Sequence, residues 1–269
     1  MEMEQLFELL ELPPLVVKKL NIYGEKRKNV MDETTKEMIV NRSLWDKGVE
    51  KLREAIGEDE DGIKILWEML NLACDSYVEY EKRNIPMEIY KDTMKFCTRF
   101  LEEHYRVHGE YKFVWAWWFP RQLSLQEFRI GSLEYEFVSN DKKIISLHIP
   151  SDANLQKEAV AESIHDFFEF RKKFFPDWVD AKIYCESWML SPALKELMDE
   201  NSNILQFQNL FIEEKTDYNS MAVLDWVFPG YHTVSEELPE NTSLQRKMKR
   251  HLLQGGKIGW TTGYVKENV

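Results

Sequence analysis

The spacing of apolar residues changes near Pro120, part-way along the chain. Before Pro120, apolar side chains recur every three or four positions, which is the period of a helix that buries one face. One such helix is predicted through the apolar positions Ile63, Leu66, Trp67, Leu70, Cys74, Tyr77 and Val78. A further helix is predicted from Met87 to His108, and Gly109 is its expected end because glycine takes a left-handed turn without penalty. The first part of the chain is therefore predicted to be helical.

After Pro120, alternating stretches are mixed with further helical ones. Strands are predicted at Phe128–Val138, Lys143–Ile149, Ala181–Leu190, Ile204–Glu213, Met221–Phe228 and Lys257–Val265, and helices at Leu155–Phe175, Pro192–Met198 and Ser243–Leu253. This order predicts a mixed sheet with helices packed on it. The expected fold class is α+β, with a helical N-terminal domain at residues 1–120 and a sheet domain with flanking helices at residues 121–269.

The composition and charge of the chain indicate which classes of binding partner to expect. Of the 269 residues, 43% are apolar and 13% aromatic, which is enough to bury a core. The chain carries 35 Lys and Arg against 47 Asp and Glu, a formal charge of −12. Because a binder of nucleic acid or of an anionic membrane needs a concentrated cationic face, neither partner is expected. The three cysteines form no CxxC pair, and the first residues lack the basic and apolar regions of a signal peptide, so we expect a cytoplasmic protein.

The sequence lacks the motifs of several common kinds of catalytic and cofactor-binding site. No glycine lies between Gly131 and Gly230, which excludes a P-loop or a dinucleotide fingerprint among those strands. The sequence has no GxSxG, HExxH or CxxC motif either. His104 and His108 have the spacing of two metal ligands on a helix, but no third ligand is evident, so no metal site is expected.

Three stretches carry a resemblance to a known family. The first combines the helix break Tyr80–Pro86 with the strand Phe128–Glu136, and the second is the turn His148–Ser151. The third runs from Ser187 to Leu194 (SWMLSPAL) and continues from Ser202 to Gln208 (SNILQFQ). Through them the chain resembles the bacterial proteins that join an N-acyltransferase helical N-terminal domain to a GNAT-like C-terminal domain.

This resemblance implies a GNAT-like fold and the transfer of an acyl group from acyl-CoA, the co-substrate, to the amine of a small molecule or peptide. It also implies that backbone N–H groups of one loop bind the pyrophosphate of coenzyme A, here in Ser151, Asp152, Ala153, Asn154 and Leu155. The usual GNAT loop has glycines and a nearby cation, whereas this loop has neither and has Asp152 where the family has glycine. The alternative is a catalytically silent GNAT-like module that binds a small molecule or a protein partner.

Two residues are candidates for the catalytic base. His148 lies on the Ile144/Ser146/His148 face of its predicted strand, and an imidazole titrates near neutral pH, which suits a base for an amine. Glu186 is the acidic residue in a strand that otherwise has the pattern of a buried one, and burial would favour its neutral form and a role as base or substrate-binding anion. The structural alternatives are a hydrogen-bonded histidine at a strand end and a glutamate held in an ion pair or at a solvated edge.

Three further residues are predicted to contact substrate. Gln206 and Gln208 share one face of the predicted strand Ile204–Glu213, where they could orient an amide or the pantetheine arm, or equally complete a polar network of the sheet. Trp188 is the third predicted substrate contact. Cys185 is expected to be a buried, inert thiol, because no adjacent cation or helix start is present to lower its pKa.

Overall fold

The computed structural model describes residues 1–26, 30–139 and 141–266. The chain folds into two compact units, Met1–Ile130 and Gly131–Val269. No helix within the described residues combines the length and the apolar character that crossing a bilayer requires.

The first unit is built from helices and ends in a short strand. The helices are α1 (Met3–Leu9), α2 (Pro14–Lys26), α3 (Glu33–Ile39), α4 (Trp45–Ile56), α5 (Ile63–Arg83), α6 (Met87–Met94), α7 (Phe96–His108) and α8 (Pro120–Leu123), and the strand is β1 (Glu127–Ile130). Helix α5 is the long amphipathic helix that the apolar spacing predicts, with Leu66 and Leu70 buried. It begins after Gly62 and ends at Asn84, and both of these residues are in the left-handed conformation that interrupts a helix.

The prediction of a single helix from Met87 to His108 is wrong, because the helix is interrupted at Lys95 and the segment forms α6 and α7. Lys95 has a ψ of −6°, which turns the backbone out of α6 before α7 begins. No glycine or proline marks the break, and apolar residues continue at helical spacing across it. The sequence therefore contains no signal for this turn.

The second unit contains a mixed sheet with flanking helices, which confirms the predicted fold class. Its strands β2 (Leu133–Ser139), β3 (Ile144–His148), β4 (Lys182–Ser187), β5 (Phe211–Asp217) and β6 (Trp260–Val265) lie in the order β2-β3-β4-β6-β5. The pair β3–β4 is parallel, and β2–β3, β4–β6 and β6–β5 are antiparallel. The helices of this unit are α9 (Lys157–Phe174), α10 (Leu194–Leu197), α11 (Asn203–Gln208), α12 (Ala222–Val227) and α13 (Ser243–Leu253).

Helix α9 connects the two parallel strands and packs on one face of the sheet. The Phe167 ring of α9 lies parallel to the Tyr135 ring of β2, with 3.9 Å between their centroids. The Tyr135 hydroxyl lies 3.1 Å from the hydroxyl of Ser163 on the same helix. Burial raises the pKa of Tyr135, which therefore stays a neutral hydrogen-bonding phenol in this core.

Two predicted strands, Ile204–Glu213 and Met221–Phe228, are wrong. Their residues form α11 and α12, and β5 begins only at Phe211. The Ser202 hydroxyl caps α11 by accepting a hydrogen bond from the Leu205 N–H at 3.3 Å. In α12 the buried residues Val223, Leu224 and Val227 follow the period of a helix. Short apolar runs of this kind fit a strand or a helix equally well, and tertiary packing decides between them.

Candidate active site

The parallel strands β3 and β4 pair over only part of their length. Their ladder contains Ile144–Lys182, Ile145–Ile183 and Ser146–Tyr184. Beyond these pairs, β3 continues to pair with β2 as far as Glu134–His148. Strand β4 continues to pair with β6 as far as Ser187–Thr261. Among the described strand pairings, the sheet is therefore open between the carboxyl ends of β3 and β4. An opening at the carboxyl ends of parallel strands is a usual place for a ligand in an α/β sheet.

The register places polar side chains on one face of this opening. Glu136 pairs with Ser146, Ser146 with Tyr184, and Glu186 with Thr262. Because side chains alternate along a strand, these residues share a face with His148, which lies two positions after Ser146. Tyr135 lies on the opposite face, which α9 covers. Continued by two residues, the β3–β4 register would set His148 opposite Glu186, so the two predicted bases stand at the two sides of the opening.

His148 contacts a buried carboxylate. Its Nε2 atom lies 3.1 Å from Oε2 of Glu136, and the side chains are 26% and 5% exposed. The structure shows the hydrogen bond of the structural alternative, and it places His148 beside the opening; its role as a base stays a prediction. A carboxylate partner of this kind orients an imidazole and stabilises its protonated form.

Glu186 is exposed, so the prediction of a buried carboxylate is wrong. The residue lies beyond the last β3–β4 pair, where water reaches the polar face. Its Oε1 accepts a hydrogen bond from Oγ1 of Thr262 on β6 at 3.1 Å. Burial therefore cannot favour Glu186 as a base. Glu186 is instead an exposed acidic side chain beside the opening. Its neighbour Cys185 is buried, and burial raises the pKa of the thiol well above its usual range.

The loop after β3 leads into the start of α9. The Ala153 N–H donates to the carbonyl oxygen of Pro150 at 2.9 Å, and the Gln156 N–H donates to Oδ1 of Asn154 at 3.0 Å. Helix α9 begins at Lys157 and not at Leu155 as predicted, and the side chain of its N-cap residue Gln156 makes no capping hydrogen bond. The predicted loop residues 151–155 thus form a turn that precedes a helix N-terminus, and that N-terminus carries an exposed lysine, Lys157.

The predicted substrate residues lie elsewhere in the second unit. Gln206 and Gln208 are on α11, where residues two apart point in different directions, so the prediction that they share a strand face is wrong. The Nε2 atom of Gln208 donates to the Ser191 carbonyl at 2.9 Å, and that of Gln206 to the Glu200 carbonyl at 3.2 Å. Trp188 follows β4 and belongs to a buried apolar cluster with residues of α12 and α13. Contact of these three side chains with substrate stays a prediction.

Comparison with known proteins assigns the chain to a family. Residues 1–125 match the N-acyltransferase N-terminal domain, and residues 128–265 match the GNAT-like C-terminal domain. The chain belongs to this N-acyltransferase family. No curated protein matches it.

Solved structures of acyltransferases share the fold of this family member. The crystal structure of an acyltransferase in complex with decanoyl-CoA and teicoplanin is 24% identical, with a TM-score of 0.80 over 98% of this chain and 87% of that one. A mutant acyltransferase in complex with octanoyl-CoA gives the same values. A third structure, an acyltransferase in complex with CoA and 10C-teicoplanin, is 21% identical, with a TM-score of 0.72 over 99% of both chains.

Two residues that sequence reasoning did not select lie beside the predicted site residues. Glu136 contacts His148 across two strands, and only the strand register brings them together. Lys157 supplies a cation directly after the loop, and a correct helix start would have revealed it. The signal for Lys157 was present in the sequence, whereas the signal for Glu136 was not.

Proposed function

We propose that this protein is an acyl-CoA-dependent N-acyltransferase that acts on the amine of a small molecule or peptide. The observation that carries the proposal is the opening between β3 and β4, which has His148 on one side and Glu186 on the other. Membership of the N-acyltransferase family supports the same reaction class. The acyltransferases of similar fold hold decanoyl-CoA, octanoyl-CoA, CoA and teicoplanin, which supports an acyl-CoA donor and a small-molecule or peptide acceptor.

The reaction needs a positioned amine and one proton acceptor. The amine nitrogen attacks the thioester carbonyl carbon, a carbon–nitrogen bond forms, and the carbon–sulfur bond breaks. The amine gives up one proton to the base, and the coenzyme A thiolate receives a proton as it leaves. No covalent enzyme intermediate is required, so positioning and proton transfer supply the rate enhancement.

His148 is the base in this proposal, and Glu186 is the anion that holds the acceptor. His148 is partly buried beside the opening and lies next to a carboxylate, an environment that stabilises the imidazolium formed when it takes a proton. Glu186 is exposed, so an incoming ammonium group can reach it before deprotonation. The chain charge of −12 adds a mild attraction for a cationic acceptor.

The turn of residues 151–155 and the start of α9 hold the phosphates of coenzyme A in this proposal. The first N–H groups of a helix lack intrahelical acceptors and favour anions, and the first turn of α9 carries the exposed Lys157 beside the exposed Glu158. The Ala153 N–H, which already donates to Pro150, shapes this turn. The exposed Asp152 opposes phosphate binding, so we assign the dominant role to the helix start and not to the turn.

A transfer assay tests the proposed function. The purified protein is mixed with decanoyl-CoA and a panel of small amines and peptides, and released thiol and acylated product are measured by a thiol-reactive dye and mass spectrometry. His148→Gln is expected to lower kcat by about 100-fold or more, the usual range for loss of a general base. His165→Gln on the exposed side of α9 is the matched control and should leave kcat unchanged.

Each outcome has a distinct meaning. Product from the natural chain and loss with His148→Gln support both the reaction and the base. Product that is undiminished by His148→Gln would remove His148 from the mechanism and leave the reaction class intact. Neither thiol release nor acylated product with any acceptor would favour the alternative, a catalytically silent module that binds a small molecule or a protein partner.

A further inference from the structure

The second unit contains a pocket that the proposed reaction does not use. The pocket has a volume of about 260 Å³ and lies between the end of β5, the start of α12 and the turn that joins α13 to β6. Its apolar lining consists of Met221, Val223, Val234, Leu252 and Ile258. Tyr218 and Met221, which both line it, are 44% and 48% exposed, so the pocket opens to solvent.

Glycines shape the turn between α13 and β6. A β carbon at Gly256, which lines the pocket, would overlap the imidazole ring of His251. A β carbon at Gly259 would overlap Thr216 and lie 3.1 Å from the ring of Tyr218. The backbone of this wall is therefore packed directly against side chains, and the pocket keeps its shape before a ligand arrives. A preformed pocket of this kind costs little to order on binding.

The charge of the lining favours the donor over the acceptor. Lys257 lines the pocket and is exposed, and none of the lining residues in the described part of the chain is acidic. A cationic acceptor would meet a like charge here, whereas Glu186 attracts it at the opening. Coenzyme A carries negative charge, and its acyl group is the apolar part of the donor. Apolar walls beside a lysine therefore suit an acyl chain on an anionic carrier.

The pocket lies within reach of the opening. Strand β4 ends beside the opening, where Ser187 pairs with Thr261 of β6. Ile258 precedes Thr261 by three residues, so their Cα atoms are at most about 11 Å apart. A saturated chain with bonds of about 1.5 Å covers that distance in about nine carbons. Since an apolar cavity of about 150 Å³ holds one benzene, a volume of about 260 Å³ holds roughly ten further carbons.

We propose that this pocket binds the end of a fatty acyl chain on the donor, so that the protein selects acyl groups of about ten carbons or more over short ones. This selection rests on the proposed transferase function, which sets the thioester at the opening. Each methylene that enters the pocket increases the affinity about fourfold. Short acyl chains end before the pocket and gain nothing from it.

Calorimetric titration with butyryl-CoA and dodecanoyl-CoA, which differ only in the length of the acyl chain, measures this selection. We expect the natural protein to bind dodecanoyl-CoA at least about tenfold more tightly than butyryl-CoA, because two or more methylenes enter the pocket. Val234→Trp places a large ring in the pocket and should lower this ratio to about threefold or less. The affinity for butyryl-CoA should change by less than about twofold, because its chain does not reach the pocket.

Val179→Trp is the matched control. It makes the same substitution at a 38% exposed valine that precedes β4, at the end of that strand away from the opening, and it should leave the ratio unchanged. Met221→Asp is a second variant, at an exposed position of the lining where no core has to be repacked. A carboxylate beside the chain opposes apolar binding, so Met221→Asp should also lower the ratio, even where Val234→Trp fails to fold.

The outcomes separate the pocket from the transferase function. Equal affinity of the natural protein for the two acyl-CoAs, or a ratio unchanged in both pocket variants, overturns the pocket proposal, while acyl transfer from butyryl-CoA would still support the transferase. A ratio lowered in the pocket variants, with no transfer to any amine, supports the pocket and overturns the transferase. Dodecanoate binding that Val234→Trp abolishes, with dodecanoyl-CoA binding unchanged, overturns the donor chain as occupant in favour of a free fatty acid. Binding of neither acyl-CoA overturns both proposals.

Discussion

The two predicted bases differ in what surrounds them, and we propose different roles for them on that ground. His148 is partly buried against a carboxylate, whereas Glu186 is exposed and accepts a hydrogen bond from Thr262. A partly buried imidazole beside a carboxylate suits the role of the group that takes a proton. An exposed carboxylate is open to an incoming ammonium group and serves better as a binding group. Proton transfer and substrate capture are therefore assigned to different strands.

At the same scale, Asp32 makes the stability of the first unit depend on pH. It is the N-cap residue of α3, and its Oδ1 accepts hydrogen bonds from the Thr35 hydroxyl at 2.6 Å and from the Thr35 N–H at 2.7 Å. These bonds, together with Lys51, lower the pKa of Asp32 to about 2. Because the folded state favours the ionised form, the contribution of Asp32 is fully present above its unfolded pKa near 4 and is lost as the pH falls towards 2.

We therefore expect Asp32→Asn to have a lower Tm than the natural chain at pH 7, with the difference shrinking between about pH 4 and pH 2. Thermal unfolding followed by circular dichroism across this range measures it. Asp92→Asn, at an exposed position of α6, serves as the control and should show no such convergence. A Tm difference between Asp32→Asn and the natural chain that stays constant down to pH 2 would contradict the prediction.

The sequence predicts those features of the site that depend on neighbouring residues in the chain. It does not predict contacts between residues that are far apart in the chain. The strand face of His148 is predicted because strand parity is a local property, and its role as a base is implied by the family resemblance of the turn His148–Ser151. Glu136 is not predicted, because its contact with His148 depends on the register between β2 and β3. The burial of Glu186 is predicted wrongly for a related reason, since nothing local reveals that the β3–β4 ladder ends before it.

Among the elements, α5 depends on a backbone conformation at its start that only glycine adopts readily. Gly62 has a φ of +69°, and a β carbon there would overlap the carbonyl oxygen of Phe113. The Phe113 segment is held close, because its N–H donates to the Asp61 carbonyl at 2.9 Å. The overlap is with backbone, so no flexible side chain can move aside to relieve it.

We expect Gly62→Ala to lower the free energy of unfolding by about 2 to 4 kcal/mol, from left-handed strain together with the clash. Gly109→Ala is the matched control, because Gly109 has a φ of +75° with open space around it. Strain alone should cost that variant about 1 kcal/mol. Denaturant unfolding compares the two variants. Equal losses would show that the Phe113 contact does not matter.

The sequence predicts correctly the type of long elements with a regular apolar period. It does not predict the type of the elements formed by short apolar runs. Helices α5 and α9 and strands β3 and β4 appear where the periodicity indicates. Helices α11 and α12 have six residues each, too few to separate the period of a helix from that of a strand. Here Ser202 at the start of α11 was the informative residue, because a serine before an apolar run is a helix-capping signal.

For the whole molecule, the sequence predicts a helical part followed by a mixed sheet, and the structure and the family assignment confirm it. The change of period near Pro120 is sufficient for this prediction, because helices bury apolar residues at every third or fourth position and strands bury them at alternate positions. The order of the strands depends on pairings between distant segments, and periodicity does not contain them. The opening between β3 and β4 arises from that order, so the central feature of the proposed site becomes visible only in the folded chain.

Calorimetric titration of the protein with decanoyl-CoA tests the proposed acyl donor directly. We expect binding in the micromolar range, weakened roughly tenfold, or by about 1.4 kcal/mol, in Lys157→Glu at the start of α9. Lys172→Glu, the same charge change in the last turn of α9, should leave the affinity within about twofold. Absence of binding at millimolar decanoyl-CoA would contradict the proposal that acyl-CoA is the donor. Equal affinity in all three proteins would contradict the proposal that the start of α9 binds its phosphates.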